Sequence, residues 1–331
     1  MRHRARVTGL VLTAALAAAR PALAQTPHLL IVVGLSGDPE HGALFSKWGD
    51  TLADVAVQQL GVPKADVIYL ADDPAQDAHA TGRSTRAEVE KAFAALATAG
   101  EDDTVMVVLF GFGTFDGSVA KFNLRGPDMT PQDFAALLGK LPSKRVVFVD
   151  TTSASGPFVE VLSGPGRTIV TATRNGAEHF ATLFGGFFVD AFKSDAADTD
   201  HSGRVSVLEA YVYAKREVAN AYQREGLMQT EHPLLDDNGD REGSADPGPQ
   251  AKDGRVAAIL SLGEPAHAAP AANASPQLRA LYVERDGLER RVESLKLLKG
   301  SMDQARYASE LEKLLTDLAV TSKKIRDLGG S

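Results

Sequence analysis

Residues 150–156 read Asp-Thr-Thr-Ser-Ala-Ser-Gly, a carboxylate, four hydroxyls and a glycine within seven positions. They follow the apolar run Val-Val-Phe-Val at 146–149. A run with no polar alternation is expected to be a strand buried on both faces, the mark of a parallel sheet. Ligands and reactive groups of open α/β sheets gather where such strands end. Chemistry performed by this sheet is therefore expected at 150–156. The alternative is structural, because small hydroxyls at a strand-to-helix turn also cap backbone groups.

A second group is spaced for a metal. In 198–209, Asp-Thr-Asp-His-Ser-Gly-Arg-Val-Ser-Val-Leu-Glu, oxygen-bearing side chains fall at positions one, three, five, nine and twelve. They are Asp198, Asp200, Ser202, Ser206 and Glu209, with Gly203 at position six and the peptide oxygen of Arg204 at position seven. This is the spacing of an EF-hand calcium loop, in which clustered oxygens suit a hard cation and glycine permits the bend. An amphipathic helix carrying Leu208, Tyr211, Val212, Val218 and Tyr222 is expected after it. Serine at position five and the basic Arg204 reduce the charge of the loop. The competing reading is a polar loop that caps the next helix through Ser206 without a metal. The turn Asp236-Asp237-Asn238-Gly239-Asp240 is a further oxygen-rich cluster. It lacks a closing glutamate at the right spacing and is read as an acidic turn rather than a second ion site.

The elements that must carry these groups alternate in type. Strands are expected at 28–35, 65–71, Thr104–Phe110 and 146–149, and again at 167–172, with 121–124 as a short edge strand. Helices are expected at 41–60, from Thr85 to about 97, from Thr130 through Leu138, at Phe158–Leu162 and at 183–192. The helix at 85 opens on a capping box, Thr85 with Glu88, and the helix at 130 carries an early proline, Pro131. Such alternation implies a mostly parallel sheet with helices on both faces. Residues 244–275 hold Pro247, Pro249, Pro265 and Pro270 among alanine and glycine and read as a linker with little packing. Over 276–328, Leu278, Leu281, Leu288, Val292 and Leu295, then Tyr307, Leu311, Leu314, Leu318 and Ile325, suggest two helices folded back on each other, coiled-coil-like. That hairpin either packs within the molecule or offers its apolar seam to a partner or a second copy.

From about residue 28 to 243 the pattern resembles the caspase-like and legumain-like cysteine peptidases. Two buried strands each end in a glycine-marked turn, Gly111-Phe112-Gly113 and the stretch 150–156. In that family the first turn is Gly-His-Gly or Asp-His-Gly and the second carries Ala-Cys-x-Ser-Gly. Thr230-Glu231-His232-Pro233 also resembles a segment near the C-terminal end of bacterial caspase-like domains. The resemblance implies a three-layer α/β/α domain, and it departs from the family at both decisive positions. Phe112 stands in place of the histidine. The chain has no cysteine, and its place falls to Ser153 when counted back from Ser155-Gly156 or to Thr152 when counted forward from Asp150. The thiolate–imidazole pair such catalysis needs is missing. The implied protein is a pseudo-peptidase that binds peptides or proteins without cutting them. A hydrolase built on Ser153 or Thr152 would have to borrow a base from His41, His179 or His232. The backbone at Gly111 and Gly113 occupies the oxyanion-type position.

Arg2, Arg4 and Arg6, the apolar stretch 7–19 and Ala22-Leu23-Ala24 read as a signal peptide cleaved after Ala24, which makes the protein periplasmic or secreted. That stretch is short for a membrane anchor. Removing its four arginines leaves 31 of the 35 basic residues against 43 acidic ones, a net charge of −12. Such a charge argues against a nucleic-acid partner. Without cysteine the exported chain has no disulfides and must stand on its core, with calcium as the expected aid.

Overall fold

The structure is a computed structural model that describes residues 25–75, 77–194, 196–200, 202–263, 274–297 and 302–328. The expected signal peptide and much of the second half of the expected linker lie outside these residues. Among those described, no helix is long and apolar enough to cross a membrane.

The molecule is an α/β structure built on a seven-stranded, mostly parallel sheet. In chain order the strands are β1 (Pro27–Val33), β2 (Val67–Ala71), β3 (Gly82–Arg83), β4 (Thr104–Phe110), β7 (Arg145–Asp150), β8 (Arg167–Thr171) and β9 (Leu234–Asp236). They lie side by side as β3-β2-β1-β4-β7-β8-β9, and only β9 runs antiparallel. The short strands β5 (Gly113–Phe115) and β6 (Ala120–Phe122) form a separate antiparallel ribbon.

Alternation along the central strands divides the core. Leu29, Ile31 and Val33 of β1, with Met106, Val108 and Phe110 of β4, pack on one face. They meet helices α1 (Pro39–Gln58), α5 (Phe184–Ala191) and α6 (Val207–Glu225). Leu30 and Val32, with Val105, Val107 and Leu109, face the other way, toward α2 (Arg86–Leu96), α3 (Pro131–Leu138) and α4 (Phe158–Leu162). Burying each such aliphatic side chain stabilises the fold by roughly 1.5–3 kcal/mol, so β1, β4 and β7 form the rigid centre. The parallel register sets Val33 beside Phe110 and Leu109 beside Asp150. Their carboxyl ends therefore open at one edge.

Helix starts follow their cap signals. Thr130 accepts from the Asp133 amide while the Asp133 side chain bonds back to the Thr130 amide, and Thr85 accepts from the Glu88 amide. Three strands escape sequence periodicity. β3 is two residues long, and β5 and β9, the latter at the sheet edge, are three residues each. None is long enough to show a period.

The linker expected over 244–275 is corrected over its middle part. Ala257, Leu260 and Leu262 are buried in the core, the amides of Val207 and Leu208 donate to Leu260 and Ala257 carbonyls, and Ser206 bridges to Ser261. Proline and glycine there make tight turns against α6 rather than a tether. Helices α7 (Pro276–Leu297) and α8 (Gln304–Asp327) pack on each other. Leu278, Leu281 and Tyr282 meet Ile325, and Leu288, Val292 and Leu295 meet Leu314, so the two run in opposite directions.

Candidate functional site

At the end of β7 every hydroxyl of 150–156 has a partner. Thr151 donates through its amide and Oγ1 to the Leu109 carbonyl, at 3.1 and 2.7 Å. Thr152 donates through its amide and Oγ1 to Asp150 Oδ1, at 3.0 and 2.6 Å. Ser153 Oγ accepts from the Gly113 amide at 3.2 Å and donates to the Gly113 carbonyl at 3.0 Å. Ser155 pairs with Thr173, whose Oγ1 also accepts the Gly156 amide at 3.0 Å. Ser153 is 1% exposed and Thr152 is fully buried. These bonds stitch β7 to the Gly111–Gly113 turn and to the segment after β8.

The backbone is fitted as closely. Ala154 adopts φ 55°, a left-handed conformation that is strained for alanine. Its amide donates to the Glu178 carbonyl at 2.7 Å, which holds it there. A Cβ on Gly113 would lie 2.2 Å from the Ser153 carbonyl oxygen, and one on Gly156 2.3 Å from the Arg174 carbonyl carbon. Glycine is therefore required at both places by close backbone approach.

The histidines weighed as bases are engaged elsewhere. His41 Nδ1 lies 2.7 Å from Asp38 Oδ2, and its ring packs edge-on against Phe112, centroids 5.1 Å apart. His179 Nδ1 lies 2.7 Å from the Ala177 carbonyl oxygen, and His232 Nδ1 2.7 Å from Glu178 Oε1. Phe112 itself packs against Phe45 as part of the apolar core. The nearest approach to an activated hydroxyl is Thr152 on Asp150, whose carboxyl burial pushes up to about 6. Gly113 N–H, expected at the oxyanion-type position, is spent on Ser153 Oγ.

The loop at 198–209 has a different character. Asp198 accepts the Ser202 amide at 3.0 Å and the Gly203 amide at 2.8 Å, and Asp200 accepts Ser202 at 3.0 Å. Gly203 supplies the bend with φ 80°. Ser202 Oγ donates to the Arg204 carbonyl at 3.1 Å, bringing the fifth and seventh positions together. Asp198, Asp200 and Glu209 each offer a carboxylate oxygen, all within 4.8 Å of one another, and so can hold a metal ion. A cavity of about 20 Å³ lies between Asp200, Ser202, Ser206, Glu209 and Ile259, room for roughly one water-sized occupant. The capping role of Ser206 is present as well. Its hydroxyl and amide bond Glu209 Oε2, and Glu209 Oε1 accepts the amides of Thr199 and Asp200. His201 lies outside the described residues.

Two buried acidic sites escaped the sequence reading. Glu231 is 1% exposed and accepts the Leu183 and Phe184 amides at the start of α5, at 2.7 and 3.1 Å. Burial pushes its carboxyl up to about 7. Its place beside His232 and Pro233 marked the segment only by resemblance. Asp253, in the supposed linker, is fully buried, and burial, then the charges of Asp236, Asp237 and Asp240, push it up to about 6. A lone aspartate among glycine and lysine carries no signal of burial.

Around the same edge three apolar side chains stay partly open. Phe115 covers Gly176 and is 37% exposed, and Phe180 and Leu183 in the following loop are 57% and 38% exposed. No protein-family model matches this sequence, and no curated protein matches it.

Proposed function

We propose that this chain is an exported, non-cleaving protein with a caspase/legumain-like domain. It binds a peptide or protein at the carboxyl edge of its sheet and is stiffened by calcium in the 198–209 loop. The observation that carries this reading is the state of Ser153. Its one proton is donated to the Gly113 carbonyl, its lone pair takes the Gly113 amide, and a substrate cannot reach it. A nucleophile needs a base and access, and this side chain has neither.

Phe115, Phe180 and Leu183 give that edge apolar surface on loops of the kind that carry recognition on rigid sheets. The calcium part rests on the three carboxylates and on a single-ion-sized cavity beside them. The exposed Leu315 and Val320 of α8 support a further role for 276–328 in contact with a partner or a second copy. A hydrolase reading has one observation in its favour, the 2.6 Å bond from Thr152 to Asp150, but that pair is wholly buried.

The test uses a peptide mixture passed over the immobilised full chain, with both retained and released fractions read by mass spectrometry. Retention of a subset, all uncut, is expected. Cleavage products that disappear with Ser153→Ala or Thr152→Val would overturn the reading.

A further inference from the structure

Residues 236–243 form a closed loop. Leu235 and Ser244 exchange amide–carbonyl bonds of 3.0 and 2.8 Å at its base. The loop is tied to 252–257, since Asn238 Nδ2 donates to the Lys252 carbonyl and the Asp237 amide donates to Asp253 Oδ1. Three carboxylates are thereby buried on adjoining segments: Asp236 at 1% exposure, Asp237 at 8% and Asp253 at 0%.

They are satisfied very unequally. Asp237 accepts three backbone amides, from Gly254 at 2.9 Å and from Val256 and Ala257 at 2.8 Å each, using both oxygens. Asp236 uses Oδ1 alone, on the amides of Asn238 and Gly239 at 3.2 and 3.0 Å. Asp253 uses Oδ1 alone, on the long 3.4 Å bond from Asp237. Oδ2 of Asp236 and Oδ2 of Asp253 are both shut off from solvent with no hydrogen-bond partner. Lys252 is held by Asp240 and Glu242. A buried carboxylate oxygen without a donor is strongly disfavoured, and buried charge is found paired or bound to metal.

We propose that Asp236 and Asp253 form a second cation site that takes a hard divalent ion, calcium by its preference for carboxylate and carbonyl oxygens. It is separate from the 198–209 loop and does not depend on that loop being filled. Asp237 acts as a positioning residue that clamps the 252–257 segment against the turn.

Calcium stoichiometry of the full chain, counted by native mass spectrometry and titration calorimetry with calcium chloride, tests this. Asp198→Ala silences the first loop and is expected to keep one bound calcium and a calcium-dependent rise in melting temperature. Adding Asp253→Asn, or Asp236→Asn if that variant folds better, is expected to weaken the remaining binding at least tenfold and remove the rise. The proposal is overturned if Asp198→Ala binds no calcium, which would leave the two oxygens to a proton or water. It is equally overturned if the ion remaining in Asp198→Ala is indifferent to both asparagine changes. A wild-type chain that binds one ion, kept in Asp198→Ala and lost with Asp253→Asn, would sink the loop assignment and leave this one standing.

Discussion

The turn after β7 and the loop before α6 are both short polar stretches rich in oxygen, yet they end in opposite states. At 150–156 every hydroxyl is paired and Asp150 Oδ2 alone is left without a donor, and Ser153, expected in the nucleophile's place, is locked to Gly113 on both sides. At 198–209 three carboxylates converge, and among the described residues amides and hydroxyls donate to them. A turn whose hydroxyls are all paired leaves no free nucleophile, whereas a cluster of anionic oxygens suits a cation. The lesson is to count donors against acceptors before assigning chemistry to residue types.

The heaviest blow to the first region comes from Gly113→Ala. Its Cβ would collide with the Ser153 carbonyl, so a loss of about 3 kcal/mol in urea unfolding is expected. A loss of under about 1 kcal/mol would show that the two turns are looser than described. For the second region, calcium at a hundred times its dissociation constant is expected to add about 2.7 kcal/mol, read as a rise in melting temperature that Asp198→Ala reduces. Equal shifts in the two proteins would remove the contrast between the regions. Ser153→Ala leaves the Gly113 amide and carbonyl unpaired in the interior, for a loss of about 1–3 kcal/mol. No change in calcium response should accompany it.

Per pH unit, the smallest expected effect is that of titration. Glu231 titrates near 4.5 when unfolded and is raised to about 7 in the fold by burial, so the folded state binds more protons between those values. The stability contributed by the protonated acid is complete below about pH 4.5 and is lost as pH rises through 7. Glu231→Gln should therefore remove up to about 1.4 kcal/mol per pH unit of downward slope within that window. Urea unfolding at pH 5, 6 and 7 in chelator measures it, and an unchanged slope would contradict the assigned burial.

The central strands were legible because continuous apolar runs such as Thr104–Phe110 have one plausible placement in a sheet. Cap residues at Thr85, Thr130 and Ser206 announced their helices through local bonds that sequence spacing encodes. Tertiary partners were not legible in this way. That Ser153 would face Gly113, forty residues away, depends on the register of β4 and β7. Burial of Asp253 depends on the amides that Asp237 gathers, and neither has a local signature. The convergence of Asp198, Asp200 and Glu209 could be read because their spacing lies within one twelve-residue loop.

The claim that the scaffold does not cleave is tested most directly by a fluorophosphonate hydroxyl-reactive probe on the folded full chain, with adduct sites mapped by mass spectrometry. No adduct at Ser153 or Thr152, before or after adding calcium, is the expected result. A stoichiometric adduct on Ser153, together with peptide turnover that Ser153→Ala abolishes, would contradict it.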